Sequence, residues 1–442
     1  MKVDEGLRRL SEHVGKELAS QTSNIIYAEK FGVSGASDPT ARLQAAIDEA
    51  IARQEAVRIV LPRYVTIDGT INVNSRENRY PLYFEGGSLH RTNPTGFMFD
   101  ADIHNDNSDI FFTGTQFKSS PGSGAKIFNG DKIIRLQTRG CSFRGVDTVL
   151  RSAHYAQSYR SIGDIVAGGG VGYAFDLDAC YDTVFDNLLL EHRESGLRVR
   201  TGIRDLKMRS SCLEGLTGTA IQLGDDEAAG ESQLVLLEGI YFEANRVANI
   251  RFGTALNRIG PASVKHCLML GNGAPTFAES IVDAGGRGVG GLFVERNFSL
   301  KGTCVDVSRA AGGPIYSRWN RNKDGYAYPV NPYLFVDGNK IQSTTGGVTI
   351  SRFGDFTRLY RGASQSIPAN STQQVTIDFG TPIYKDDVIS PQLLLESGAS
   401  LSVNHYVRSG HTVHLYVTNK SSGAVTADLA VTVLKFPYSV SG

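Results

Sequence analysis

Between residues 184 and 272 the apolar and polar positions come round four times in one pattern. Residues 184–191 (VFDNLLLE), 207–214 (KMRSSCLE), 236–243 (LLEGIYFE) and 264–271 (VKHCLMLG) align one beneath another, and the runs close on Glu, Glu, Glu and finally Gly. A short polar turn and an apolar-polar-apolar triplet follow the first three: Leu197-Arg198-Val199, Ile221-Gln222-Leu223 and Ile250-Arg251-Phe252. The closing positions lie 23, 29 and 28 residues apart, a period that belongs to stacked repeats. No helix-length stretch of period 3.6 interrupts the runs, so the repeating unit is made of short strands and turns. The pattern predicts an all-β solenoid.

The flanks differ in period. Val3, Leu7, Leu10, Val14 and Leu18 step by 4, 3, 4 and 4, the seam of a helix that either lies on its own domain or forms a short stalk between identical chains. In residues 41–54, Leu43, Ala46, Ile47, Ala50 and Ile51 share one helical face, with Ser37 or Asp38 placed to cap and Pro39 in the first turn. A strand (VRIVLP) follows at once, so this helix is expected to close the open end of the solenoid, where core and strand edges are otherwise exposed. Residues 312–332 break the rhythm with Pro, Gly, Asn and aromatics and read as a long loop or as the exit of the coils. Clean two-residue alternation in QQVTIDFG, LSVNHYVRSG and TVHLYVTNKSSG predicts a small antiparallel β-sandwich at the C-terminal end. The expected organisation is a helix or stalk over 1–24, an opening segment with a capping helix over 25–56, a parallel β-helix over 57–360 and the sandwich over 361–442.

The stretch FGVSGASDPTARLQAAIDEA, followed by VRIVLP and YVTIDGTINV, resembles the opening segment of pectate-lyase-like right-handed parallel β-helices, above all those of bacteriophage tailspikes and capsule depolymerases. Phe31, Gly32, Gly35, Asp38, Thr40, the helix and Leu61-Pro62 carry the resemblance; Ala36-Ser37 departs from it. It implies a homotrimer held together at its far end by the sandwich. It also implies a fibre of the virion tail, made in the host cytoplasm, that binds and depolymerises a bacterial surface polysaccharide. With about 25 residues ahead of the opening segment, two expectations stand: the chain is trimmed at its amino terminus, or it attaches to a phage tail or adaptor protein through the N-terminal helix. The resemblance assigns no catalytic residue, and the same fold carries two other functions: a non-enzymatic receptor-binding fibre, and a bacterial polysaccharide lyase or epimerase.

Composition narrows the partners. A net charge of +0 with 20% charged residues offers no bulk attraction to nucleic acid or anionic lipid. No apolar run reaches the roughly 20 residues of a membrane span, and the amino terminus lacks the apolar core of a signal peptide. The five cysteines are odd in number and without CxxC spacing, so Cys141, Cys212 and Cys267, within or beside apolar runs, are expected to be buried free thiols. The histidines are scattered without metal-ligand spacing, and GGGVG at 168–172 precedes a strand rather than a helix, so neither a metal nor another cofactor is expected.

Successive strands in such a coil stack about 4.8 Å apart, which turns the repeat alignment into vertical columns. The first is Glu191, Glu214 and Glu243. The second is Asp186, Arg209, Glu238 and His266, and the third is Asp176, Arg198, Gln222 and Arg251. The second and third mix or nearly alternate their charges, as a stable sheet surface does. The first stacks like charges, which repel and should raise at least one pKa. Clustered carboxylates with unequal proton affinity are what glycoside hydrolysis requires, so Glu191, Glu214 and Glu243, with Glu238 beside them, are the candidate catalytic residues, Glu214 the proton donor. Arg198, Arg209, Gln222, Arg251, His266, Tyr241 and Trp319 supply the forked donors and aromatic faces that bind sugars and their carboxylates.

Overall fold

The computed structural model describes residues 24–73, 80–93, 96–101, 109–120, 122–226, 230–270, 280–285, 291–300, 303–310 and 315–322, and further strands between 334 and 434. The apolar seam of residues 3–18 lies outside the described residues.

The chain enters through a short strand, Ile25–Tyr27, laid parallel on Val57–Val60. Helix α1, Pro39–Ala52, covers this end of the coil. Asp38, rather than Ser37, caps it, its carboxylate accepting from the Ala41 N–H at 3.0 Å, and Pro39 stands where no N–H is needed. Leu43, Ala46, Ile47 and Ala50 are fully buried beneath it. On the polar side the Gln44 amide accepts from the Asn72 N–H at 2.7 Å and donates to the Asn72 carbonyl at 2.9 Å. One side chain thus replaces the missing neighbour of an edge strand.

From there parallel strands climb coil upon coil, from Val57–Val60 to Leu334–Asp337. Among the described residues they form a broad sheet and a narrow sheet of eleven strands. The narrow sheet runs from Val65–Thr66 through Leu189–Glu191, Cys212–Glu214 and Tyr241–Glu243 to Arg321–Asn322. In one coil, Ser195–Arg209 of the broad sheet turns at Ser210 into Cys212–Glu214, turns again at Gly215, and returns to the broad sheet as Thr219–Leu223. Inward side chains stack in register: Leu190, Leu213, Phe242 and Met269 form one buried row, and Phe84 lies on Phe112 at 4.4 Å between ring centroids. Such continuous burial drives the assembly, because a single coil has no closed core.

In ten of the described coils the corner between the sheets holds a left-handed residue. Gly86, Gly114, Gly140, Gly163, Asn187, Ser210, Gly239, His266, Arg296 and Trp319 occupy it at φ of +48° to +64°. Left-handed backbone costs a non-glycine residue roughly 1–2 kcal/mol, and the corner returns a hydrogen bond to the next coil, as from the Asn187 N–H to the Arg209 carbonyl at 3.0 Å. The residue after the corner points inward, and its N–H falls outside the ladder. Where the following coil has a polar side chain there, that side chain accepts it: Asp164 from Cys141 at 2.7 Å, Ser211 from Leu188 at 3.2 Å, Asn297 from Cys267 at 2.8 Å, and Asn320 from Asn297 at 2.9 Å. Buried polar residues at these places thus satisfy backbone groups that the turn orphans.

Two expectations are corrected here. Ile315–Arg318 and Arg321–Asn322, inside the stretch read as a long loop or exit, are strands continuing both sheets. The fourth repeat ends on Leu270 rather than Gly271, since Leu270 pairs with Glu243. Beyond Leu334–Asp337 pairing becomes antiparallel, in one sheet built around Val425–Leu434 and another of Ser371–Asp378, Thr412–Asn419 and Leu401–Ser409. Burial alternates residue by residue along Thr412–Asn419, as its pattern predicts.

Candidate functional site

Glu191, Glu214 and Glu243 pair directly across the narrow sheet. Leu190, Leu213 and Phe242 before them are buried, so the alternation of a strand turns the three carboxylates outward, each half-buried. A left-handed residue ends each strand immediately after its glutamate: His192, Gly215 and Ala244. A Cβ on Gly215 would lie 2.7 Å from His192 Nδ1, so the imidazole rests on the turn that follows Glu214.

The residues two places earlier face the same way. Leu189, Cys212 and Tyr241 form the adjoining column, and the Tyr241 hydroxyl donates to Glu243 Oε2. That hydrogen bond, followed by burial and the nearby charges, pushes the Tyr241 hydroxyl up to about 12. Burial first, then Glu214, Glu191 and Glu243, pushes the Cys212 thiol up to about 11. Cys212 is therefore partly exposed on the outer face, which corrects the expectation that it is buried: its place two residues after the corner points it away from the core. Cys141 and Cys267 are buried as expected, as are Cys180 and Cys304, and all five thiols are free.

In the second column, Asp186, Arg209 and Glu238 pair as expected, but the next member is Lys265 and not His266. His266 is the left-handed corner residue, one place beyond the strand. Its ring still reaches Glu238, Nδ1 to Oε1 at 3.5 Å, beside Lys265 Nζ at 3.4 Å. Glu238 is thus engaged by two basic groups, whereas Arg209 is exposed.

The third column pairs in full, Asp176 to Arg198 to Gln222 to Arg251, and continues to Asp283. Its polar groups bind one another. Arg198 grips both Asp176 oxygens at 2.9 Å, joined by Arg200. Burial works against the Asp176 charge, yet these arginines outweigh it and hold the carboxyl below its usual range. Arg251 lies between Asp226 at 3.3 Å and Asp283 at 3.6 Å, and Arg309 ties the same two aspartates at 3.0 and 2.8 Å. Gln222 is buried and donates to the Gly224 carbonyl. Arg198 and Arg251, candidates for sugar binding, are engaged in this network, with the Arg198 guanidinium also 4.5 Å from the centre of the Tyr173 ring.

Trp319 stands at a corner, 54% exposed, with Arg296 at 5.0 Å over its ring. Tyr159 is wholly buried and serves packing. The amides of the glycine-rich turn at 168–172 are taken by the protein, Val171 by Asp147 and Gly172 by Glu194.

Two arrangements escape the repeat alignment. Arg193, only 4% exposed, donates to the carbonyls of Ser195 and Asp147 at 2.8 and 2.6 Å and braces the turns behind the glutamates. Followed backwards, the glutamate column passes through Ala167 to Arg144, Lys118 and His90. The same outer face is therefore basic at its first coils and acidic at its middle ones. Only the pairing register reveals this, because the early coils differ in length and do not align by eye.

No protein-family profile matches the chain, and no curated protein matches it in sequence. Its backbone is similar to that of the tailspike of Acinetobacter baumannii bacteriophage Fri1, a capsular polysaccharide depolymerase, at 10% identity over 93% of this chain and 86% of that one, with a TM-score of 0.40. A tailspike mutant of Escherichia coli bacteriophage HK620, in complex with a pentasaccharide, shares 12% identity over 94% of both chains, with a TM-score of 0.47. PfbA, a surface adhesin of Streptococcus pneumoniae, shares 8% identity over 75% of this chain and 97% of that one, with a TM-score of 0.43. The fold itself, a parallel β-helix with few helices, is read from the strand pairing of the chain.

Proposed function

We propose that the chain is a phage tailspike that binds a bacterial surface polysaccharide and cleaves it by hydrolysis on the outer face of the narrow sheet. The observation that carries this reading is the direct pairing of Glu191, Glu214 and Glu243 on consecutive coils. Like charges directly opposite each other destabilise a sheet, and no basic residue stands between these three in their column. The second and third columns, by contrast, alternate or neutralise their charges. A carboxylate stack on an open face instead fits a reaction that needs a proton donor beside a base or nucleophile.

In this reading Glu214, flanked on both sides, protonates the glycosidic oxygen. Glu243, oriented by Tyr241, acts as nucleophile or base. Neighbouring coils lie about 4.8 Å apart, close to the roughly 5–5.5 Å at which paired carboxylates retain configuration, while Glu191 and Glu243, two coils apart, approach the roughly 6.5–9.5 Å of inverting pairs. The ion-paired Arg198 and Arg251 hold the neighbouring face in shape, and the exposed Arg209 and Trp319 remain as sugar contacts. As a virion fibre the chain forms a homotrimer.

A panel of purified capsules and O-antigens, with products weighed by mass spectrometry, tests the reading. Hydrolysis adds one water to each pair of products, whereas a lyase leaves fragments lighter by that water. Binding without any product would assign the chain to adhesion instead.

A further inference from the structure

Three coils before the glutamates, the same outer face opens into a cavity of about 590 Å³ lined by Arg63, Tyr64, Ser88, Gln116 and Lys118. Ser88 and Gln116 pair across it, and so do His90 and Lys118. The Tyr64 hydroxyl and His90 Nδ1 are hydrogen-bonded at 3.0 Å, their rings tilted at 5.9 Å. Gly87 forms part of the lining; a Cβ there would meet Leu61 Cβ at 2.5 Å, so glycine alone lets the two turns approach.

Two features point to a ligand. Many cations along the coils are engaged by carboxylates, as Arg58 is by Glu85 at 3.0 Å and Arg160 by Asp182 at 3.1 Å. Among the described residues, Arg63 and Lys118 take part in no ion pair. On the rim the Ser34 hydroxyl donates to Glu29, which occupies that carboxylate locally. Second, Ser88 is only 6% exposed, and its hydroxyl has no partner although it lines the cavity. A buried hydroxyl without a partner is costly unless something in the cavity satisfies it.

We infer that this cavity binds an anionic substituent of the polysaccharide, a sugar carboxylate or a phosphate or sulfate ester. Arg63 and Lys118 supply the charge, Ser88 donates a hydrogen bond, and Tyr64 presents an aromatic face to the ring that bears the anion. The inference rests on the reading of this face as a saccharide groove. The first glutamate stands three coils beyond Lys118, about 14 Å at ordinary strand spacing. A chain lying along the coil axis would thus be anchored by its charge at one end and meet the carboxylates further on. The substrate class is an acidic polysaccharide.

The test immobilises the full chain and measures binding by interferometry to purified bacterial polysaccharides bearing uronate, bearing phosphate or sulfate esters, or bearing no charge. The expected ligand is acidic. Chemical reduction of its carboxyl groups weakens binding at least about tenfold if the anion is a carboxylate, the scale of losing charge-assisted hydrogen bonds. Removal of ester groups does so if it is a phosphate or sulfate. Arg63→Gln with Lys118→Met lowers affinity as much, with an unchanged melting curve, and no longer distinguishes the treated from the untreated polymer. Ser88→Ala, which removes only the unpartnered hydroxyl, lowers affinity less and in the same direction. A neutral polysaccharide that is bound and cleaved overturns the inference and leaves the hydrolase reading standing. An acidic polymer held through Arg63 and Lys118 but never cleaved does the reverse. Equal affinity of the wild type and the double variant for the acidic polymer also overturns the inference.

Discussion

Tyr241 and Glu243 stand two residues apart on one strand of the narrow sheet, both facing outward, and the tyrosine hydroxyl donates to the carboxylate. The contact orients the last glutamate of a row of three without neutralising it. With its hydroxyl pushed up to about 12, Tyr241 stays a donor throughout the neutral range.

The first prediction concerns this row. Glu214→Gln and Glu243→Gln keep shape and remove titration, and each should lower turnover by about 10² or more, the scale of a lost general acid or base, while binding persists. Tyr241→Phe should cost less, on the order of tenfold. Glu238→Gln, which loosens only the contacts with Lys265 and His266, should leave the rate unchanged. Turnover lost in Glu238→Gln and kept in both row variants would place the chemistry on the other column.

The second concerns Asp164, which is wholly buried. Burial pushes its carboxyl up, partly countered by hydrogen bonds from Thr138, Ser161 and the Cys141 N–H. The folded protein therefore holds this proton more tightly than the unfolded chain does. The resulting stability is complete below the ordinary value of 3.8 and is lost as the pH rises through the folded value. Asp164→Asn should abolish this dependence, so its advantage over the wild type grows as the pH rises above the ordinary carboxylate value. Urea midpoints that move in parallel for the two proteins would contradict this.

The third concerns the orphaned amides behind the corners. Asn297 accepts from the Cys267 N–H at 2.8 Å and donates to the Val264 carbonyl at 3.0 Å. Asn297→Ala leaves the buried Cys267 N–H without a partner and should destabilise the coil by about 1–3 kcal/mol, read from chemical unfolding. A loss below about 0.5 kcal/mol, the size of a neutral surface change, would show that the side chain is dispensable.

The fourth concerns the thiols. Cys141, Cys180 and Cys267 are buried, with burial pushing each thiol up to about 12. In the native protein a thiol reagent should reach only Cys212, and slowly, because little thiolate forms beside the glutamates. Glu214→Gln should speed that labelling. Rapid reaction of three or more cysteines would show the coil register to be wrong.

The fifth concerns assembly. The intact chain should sediment as a trimer, and removal of residues 365–442 should leave monomers or aggregates. A soluble trimer from the truncated chain would place the clamp elsewhere.

The parallel coil, its capping helix and the glutamate row were legible in the chain because each depends on local periodicity: alternation sets inward against outward, and a constant turn sets the register. Asp38, Pro39 and the apolar face of α1 were readable for the same reason, as were Asp176, Arg198, Gln222 and Arg251. His266 and Cys212 were misplaced where a single corner residue shifts which side chain faces out. A slip of one position reverses a strand's faces, and nothing local marks which residue takes the left-handed turn when it is not glycine.

What the sequence determined by itself is therefore the stacking: short strands of period two, repeated at coil length, have no way to bury their apolar side except against copies of themselves. The tertiary structure decided what each outward residue meets. It tied Arg251 to Asp226 and Asp283, set Asn320 under the Asn297 amide, and brought Arg63 and Lys118 to one cavity although 55 residues separate them in the chain. Those contacts run across coils whose turns differ in length, so sequence distance carries no measure of them; only the ladder of hydrogen bonds, once formed, fixes which residue stands beside which.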